Sequence, residues 1–171
     1  FYKENSAKIR IANSHTNIVL IEKNGEKLLD IPVRCEADEG MSDRSVLSGE
    51  KIWEYICNVD TKEIESIITR QIEYNTAIAL EGLNGDYGAS IGKVLLSAYG
   101  DDVLNRAKAM AAAGSDARMN GCELPVIINS GSGNQGITCC LPVVEYAKEL
   151  KTDKDKLIRA LALSNLIAIH I

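Results

Sequence analysis

Residues 129 to 136, NSGSGNQG, gather three glycines (Gly131, Gly133, Gly136) and four small polar side chains, Ser130, Ser132, Asn134 and Gln135. Glycines let backbone N–H groups approach a ligand closely, and a helix that follows aims its first unpaired N–H groups and its positive dipole end at the same point. A carboxylate or phosphate is stabilised there. Charge-assisted hydrogen bonds contribute about 1.5–3 kcal/mol each, against about 0.3–1 kcal/mol from the dipole, so specific donors dominate. Four short polar groups suit a compact zwitterion, such as a free amino acid, better than a long nucleotide. The alternative is a Gly-rich turn that caps the helix over 134–150 and binds nothing.

Gly131-x-Gly133-x-x-Gly136 also satisfies the dinucleotide pattern GxGxxG. That chemistry needs a second parallel strand after the helix, with an acidic residue at its end to hold a ribose. Here the helix is followed by KTDKDKLIRALALSNL, another cap and another helix, so the pattern stands without its partner strand. A phosphate loop is excluded as well: Tyr87 occupies the position five before Gly92, and Val94 follows Lys93 where a metal-binding hydroxyl is required.

Other candidates lie outside the loop. Arg118 has the planar fork that pairs with a carboxylate in bidentate fashion, and Asp116 could orient it or meet an amino group; the competing reading is a surface pair after a helix. His15 stands in a turn between two strands beside Thr16 and Asn17, where an imidazole can act as a base near neutral pH. Solvation alone is the commoner fate of such a histidine. Five cysteines (Cys35, Cys57, Cys122, Cys139, Cys140) show no regular spacing and no CxxC, so neither a disulfide framework nor a zinc site is signalled.

The elements that must position these residues change character once. Ala7 to Ala12 alternates, Asn17 to Glu22 is a β-branched run, and Asn24-Gly25 supplies a tight turn before a third strand over Lys27 to Pro32. Residues 1–34 therefore read as an antiparallel β-meander, and 35–47 as an acidic connecting loop. The rest, 48–171, reads as helical, with the substrate loop at 129–136. Ser48 caps a helix through Cys57. Asp60 caps the next, with Ile64, Ile67, Ile68 and Ile72 as its stripe to about Leu80. EGLNGDYGASIG, 81–92, reads as a loop before a helix over Ser90 to Ala98. Asp101 or Asp102 starts a further helix, with Val103, Leu104, Ala107 and Met110 inward, halted at Gly114. Thr152 or Asp153 caps the last. The expected class is α+β: a small meander, then a mostly helical layer with Gly-rich loops at helix N-termini.

The 171 residues are 46% hydrophobic and 25% charged, with a net charge of −5, enough to bury a core. Scattered basic residues argue against nucleic acid, and no apolar stretch is long enough to span a bilayer, so the chain reads as cytoplasmic with no membrane partner. A homo-oligomer is compatible with the sequence. The chain starts at Phe1 and stops inside an apolar helix, which reads as part of a longer protein.

SDARMNGCELPVIINSGSGNQGITCCLPVVEYA (115–147) and HTNIVLIEKNG (15–25) closely resemble segments of the serine dehydratase alpha-chain superfamily, in its L-cysteine desulfidase branch. EGLNGDYGASIG and RALALSNLIAIHI resemble the same branch, in the same order. The resemblance implies an iron–sulfur lyase in which a [4Fe-4S] cluster, held by three cysteines, keeps one iron open to substrate. A base removes the Cα proton and the β-thiol or β-hydroxyl leaves. The resulting aminoacrylate hydrolyses to pyruvate and ammonia, with hydrogen sulfide as the other product from cysteine. The resemblance makes His15 and Ser132 the catalytic candidates. Thr16, Asn17, Asp116, Arg118, Ser130, Gly131, Gly133, Asn134, Gln135 and Gly136 become candidate contacts to L-cysteine or L-serine. The family's cluster cysteines lie outside this stretch, so no metal ligand, no cluster and no activity of its own are expected here. A competing class is a non-catalytic amino-acid-binding or regulatory module.

Overall fold

The computed structural model describes residues 3–13, 17–33 and 43–171, and the chain divides into two compact units, Phe1–Asp43 and Arg44–Ile171. The first unit carries strands β1 (Ala7–Ile11), β2 (Ile18–Lys23) and β3 (Glu26–Asp30) in an antiparallel sheet of order β1-β2-β3. Lys23 pairs with Glu26 across Asn24 and Gly25, whose φ values of 52° and 86° are those of the two-residue turn that matches strand twist. The Asn24 side chain also accepts from the Ser6 N–H at 2.7 Å, tying the turn to the start of β1. Ile11 pairs with Ile18 and Arg10 with Leu20, so Val19 is the extra residue of a bulge, and it is buried.

The second unit is helical: α1 (Gly49–Asn58), α2 (Thr61–Asn84), α3 (Ile91–Tyr99), α4 (Val103–Met119), α5 (Gly133–Glu149) and α6 (Lys154–His170), with a short 3-10 turn at Arg44–Val46. Caps fix most starts. Ser48, Asp60, Asp102, Ser132 and Asp153 each accept a backbone N–H two or three residues on. The α+β class and the Gly-rich segments before α3 and α5 agree with the sequence reading.

Two helix ends differ from that reading, for one reason. The α2 helix does not stop near Leu80 but runs through Gly82 to Asn84, so the loop before α3 is only about half the expected 81–92 stretch. A Cβ at Gly82 would lie 2.0 Å from the Ala113 carbonyl oxygen, so this glycine brings α2 and α4 backbones together rather than ending a helix. Likewise α4 passes through Gly114, which faces Ala79 and Ile137, and ends at Met119, two residues before Gly121. There the Cys122 N–H reaches back to the Ala117 carbonyl at 3.0 Å, and Gly121 takes φ 88°, a Schellman ending.

Inward faces shift accordingly. Ile67 and Leu104, expected inside, are exposed, whereas Ile68, Gln71, Asn75, Ile78, Ala79 and Gly82 form the buried face of α2. One core cluster joins Ile78, Met110, Ala117, Ile137 and Leu141 from α2, α4 and α5. A second joins Ile68, Cys140, Val144, Ile158 and Leu161 from α2, α5 and α6. Among the described residues, no helix is long and apolar enough to cross a membrane.

Candidate functional site

The segment 129–136 folds as a turn that feeds directly into α5. The Ser132 N–H donates to the Asn129 carbonyl at 2.9 Å and the Asn129 N–H to the Ser132 carbonyl at 3.0 Å. Between them Ser130 (φ 47°) and Gly131 (φ 78°) both take the left-handed region, which defines a type I′ turn. Gly131 takes that conformation freely; Ser130, exposed at the tip, holds one that disfavours a side chain.

Ser132 is the N-cap of α5, its hydroxyl accepting from the Gln135 N–H at 3.3 Å while its carbonyl accepts from Gly136. Among the described residues the Gly133 and Asn134 N–H groups have no hydrogen-bond partner. These are two of the orphan donors that every helix start exposes, and they carry the positive end of the helix dipole.

Arg118 is brought to the same place by the last turn of α4. A Cβ at Gly133 would lie 2.3 Å from Arg118 Nε and 2.8 Å from Cζ, so the guanidinium lies directly across this glycine. Arg118 Nη1 donates to Asn134 Oδ1 at 3.0 Å. Among the described residues no carboxylate lies within ion-pair distance of it. A cation and two N–H groups without partners therefore meet at one helix end with no negative charge between them, Gly133 itself being buried under the Arg118 side chain.

The other candidates are placed differently. Asp116 caps α3: its Oδ2 accepts from the Ile91 N–H at 2.8 Å, doing what Ser90, left-handed and without a cap bond, does not. Gln135 turns inward and donates to the Ala168 carbonyl on α6 at 3.1 Å. Gly136 is filled from the protein side, because a Cβ there would lie 2.1 Å from the Ile127 carbonyl oxygen. Asn17 belongs to the first unit, where its amide donates to the Ala12 carbonyl at 2.9 Å and closes the β1–β2 connection. His15, Thr16 and Cys35 lie outside the described residues.

Buried amides that the sequence reading passed over hold this region. Asn75 on α2, fully buried, accepts from the Ile127 N–H at 2.9 Å and donates to the Ile127 and Gly136 carbonyls at 3.2 and 3.1 Å, pairing with the incoming backbone as a neighbouring strand would. Asn129 is 5% exposed and donates to the Asn165 side chain and carbonyl on α6. Its Oδ1 is buried without a partner. An orphan of this kind costs about 1–3 kcal/mol. The available signal was the break in the apolar stripe of α2 at Gln71 and Asn75.

Among the described residues no group of three or more His, Cys, Asp or Glu side chains is placed to hold a metal ion. Burial pushes the Cys140 thiol up to about 12 and raises that of Cys139, so neither is a ready thiolate, and Cys57 is exposed on α1.

A Gly-rich type I′ turn capping a helix, with an arginine laid over its first residue, makes a helix mouth suited to a small anion. The chain belongs to the serine dehydratase alpha chain family, whose model matches residues 11–171. It is 54% identical to a UPF0597 protein of Desulfitobacterium hafniense over its whole length and 54% identical to a UPF0597 protein of Lachnoclostridium phytofermentans over 98% of it. A UPF0597 protein of Finegoldia magna is 46% identical over 99%. In each case the chain spans 40% of the relative's length. No solved structure matches it.

Proposed function

We propose that this chain supplies the substrate-binding part of a lyase that removes the β-substituent of a small amino acid, L-cysteine or L-serine, and that the full-length protein works in the cytoplasm. The observation that carries the reading is the unpaired positive site at the start of α5. Arg118 lies across the buried Gly133, beside the unpartnered N–H groups of Gly133 and Asn134. A cation at a helix N-terminus is unfavourable by about 0.3–1 kcal/mol, and an arriving carboxylate reverses the sign of that interaction while pairing both amides.

In this reading the substrate carboxylate accepts from the two N–H groups and from Arg118. Ser132 holds the helix start and lends its hydroxyl to the same mouth, with Ser130 and Gly131 forming the rim. His15, with Thr16 and Asn17 beside it, keeps the role that the family resemblance implies for it, a base for the Cα proton. Family membership supports a lyase. The [4Fe-4S] cluster of the reading is held by cysteines outside this chain, and apart from the base the role of the residues here is to bind and orient.

Calorimetric titration of the full-length protein with L-serine and L-cysteine, beside a turnover assay for pyruvate, tests the proposal. Both amino acids are expected to bind, and Arg118→Ala to weaken binding about tenfold or more, the worth of one charge-assisted hydrogen bond. Binding without turnover would turn the reading to a non-catalytic amino-acid-binding module. Unchanged affinity in Arg118→Ala would remove the site.

A further inference from the structure

We propose that Gln71, Asn165 and Asn129 form a positioning relay that fixes the 129–132 turn and, through it, the aim of the Gly133 and Asn134 N–H groups. The inference rests on those groups being the substrate cradle described above.

The relay is continuous. Gln71 on α2 and Asn165 on α6 exchange two hydrogen bonds, Nε2 to Oδ1 at 3.0 Å and Nδ2 to Oε1 at 2.8 Å. Asn165 Nδ2 also donates to the Leu161 carbonyl of its own helix at 2.8 Å, which locks its rotamer. Asn129 Nδ2 then donates to Asn165 Oδ1 at 2.8 Å and to the Asn165 carbonyl at 3.1 Å. The backbone N–H and carbonyl of Asn129 are both bonded to Ser132, so displacing its side chain displaces the residue from which α5 starts.

The amide orientations are forced. Both partners of Asn129 on α6 are acceptors, so its nitrogen faces inward and its oxygen is left over, buried and unpaired. The turn needs to be held. Ser130 sits at φ 47°, where a serine does not keep a type I′ turn closed by its own preference. Buried polar networks of this kind select one arrangement among several that an apolar core would accept.

The test uses anaerobically prepared full-length protein. Gln71→Met keeps the volume and removes two bonds on α2, away from the turn. The expected result is a KM for the amino acid raised about tenfold with kcat within about twofold of wild type. The Ser132 amide should exchange hydrogen about tenfold faster while that of Leu161 keeps its protection. Gln71→Glu supplies the rescue and stands in if Gln71→Met does not fold. A protonated carboxyl donates and accepts as the amide does, and burial keeps it protonated toward neutral pH. Its KM should match wild type near pH 5 and rise above it near pH 9, values about which the carboxyl is protonated and ionised respectively. A lower Tm in both variants, with wild-type KM and wild-type exchange at Ser132, overturns the relay. If the wild-type protein turns over neither amino acid the proposed function falls, and exchange at Ser132 still decides the relay.

Discussion

Arg118 carries its charge to the end of α5 that ordinarily repels a cation, and Gly133 is the residue that lets it lie there. The glycine pattern made this helix mouth legible in the sequence, because glycines at a helix start act locally. The amides that brace it were not legible. Asn165 lies 36 residues from Asn129 and 94 from Gln71, and no local rule connects them. The cap that Asp116 forms was hidden for a similar reason: its partner, Ile91, lies 25 residues back on another helix. At this scale Ser130 offers a direct test. Asn24, at the matching position of the β2–β3 turn, is a residue type that tolerates positive φ, whereas Ser130 is not. Ser130→Asn should stabilise the protein by about 0.5–1 kcal/mol, read as a higher denaturant midpoint at constant m-value. A lower midpoint would mean that the tip is not a type I′ turn.

At the scale of elements, most starts were readable, as were the ends of α1 and α3, whereas the ends of α2 and α4 were not. Ser48, Asp60, Asp102 and Asp153 announce helices because a cap is a short-range bond from side chain to backbone. Gly82 and Gly114 look like helix stops in the sequence, and only the backbone of a helix far along the chain shows them to be contact points. Replacing Gly82 by alanine, ordinarily helix-favouring, should here destabilise the protein by about 1–3 kcal/mol, because the new methyl would meet the Ala113 carbonyl and push α2 from α4. Thermal unfolding checks the sign. An increase in Tm would show that the helices have room to part.

For the whole molecule, pH reports on groups spread across the helical unit. Burial raises the Cys140 thiol from 9.0 to about 12, and the hydrogen bond to Glu81 raises the Tyr87 hydroxyl from 10.0 to about 12. A raised value means stability present below the unfolded pKa and lost as pH climbs toward the folded one, so stability should decline between about pH 9 and 12. On the acid side the sign reverses. Asp153 is lowered first by the Lys156 N–H, Asp155 by Thr61, and Glu50 by a backbone N–H, so their contribution is lost as pH falls below the ordinary carboxylate range. Denaturant midpoints across pH should therefore show a plateau between about 5 and 9. A profile that keeps rising above pH 9 would contradict the burial of Cys140.

Beside its side-chain core, the helical unit has three places where glycine brings the neighbouring helix close to α4. Gly92 closes on the Ala109 carbonyl and Gly82 on the Ala113 carbonyl, while Gly114 meets Ala79, so α4 is gripped by its own peptide groups along two turns. At those glycine contacts there is no side chain to shorten, so a substitution there cannot adjust the helix a little at a time. The guanidinium at its tip is thus aimed by backbone contacts set further back along the same helix.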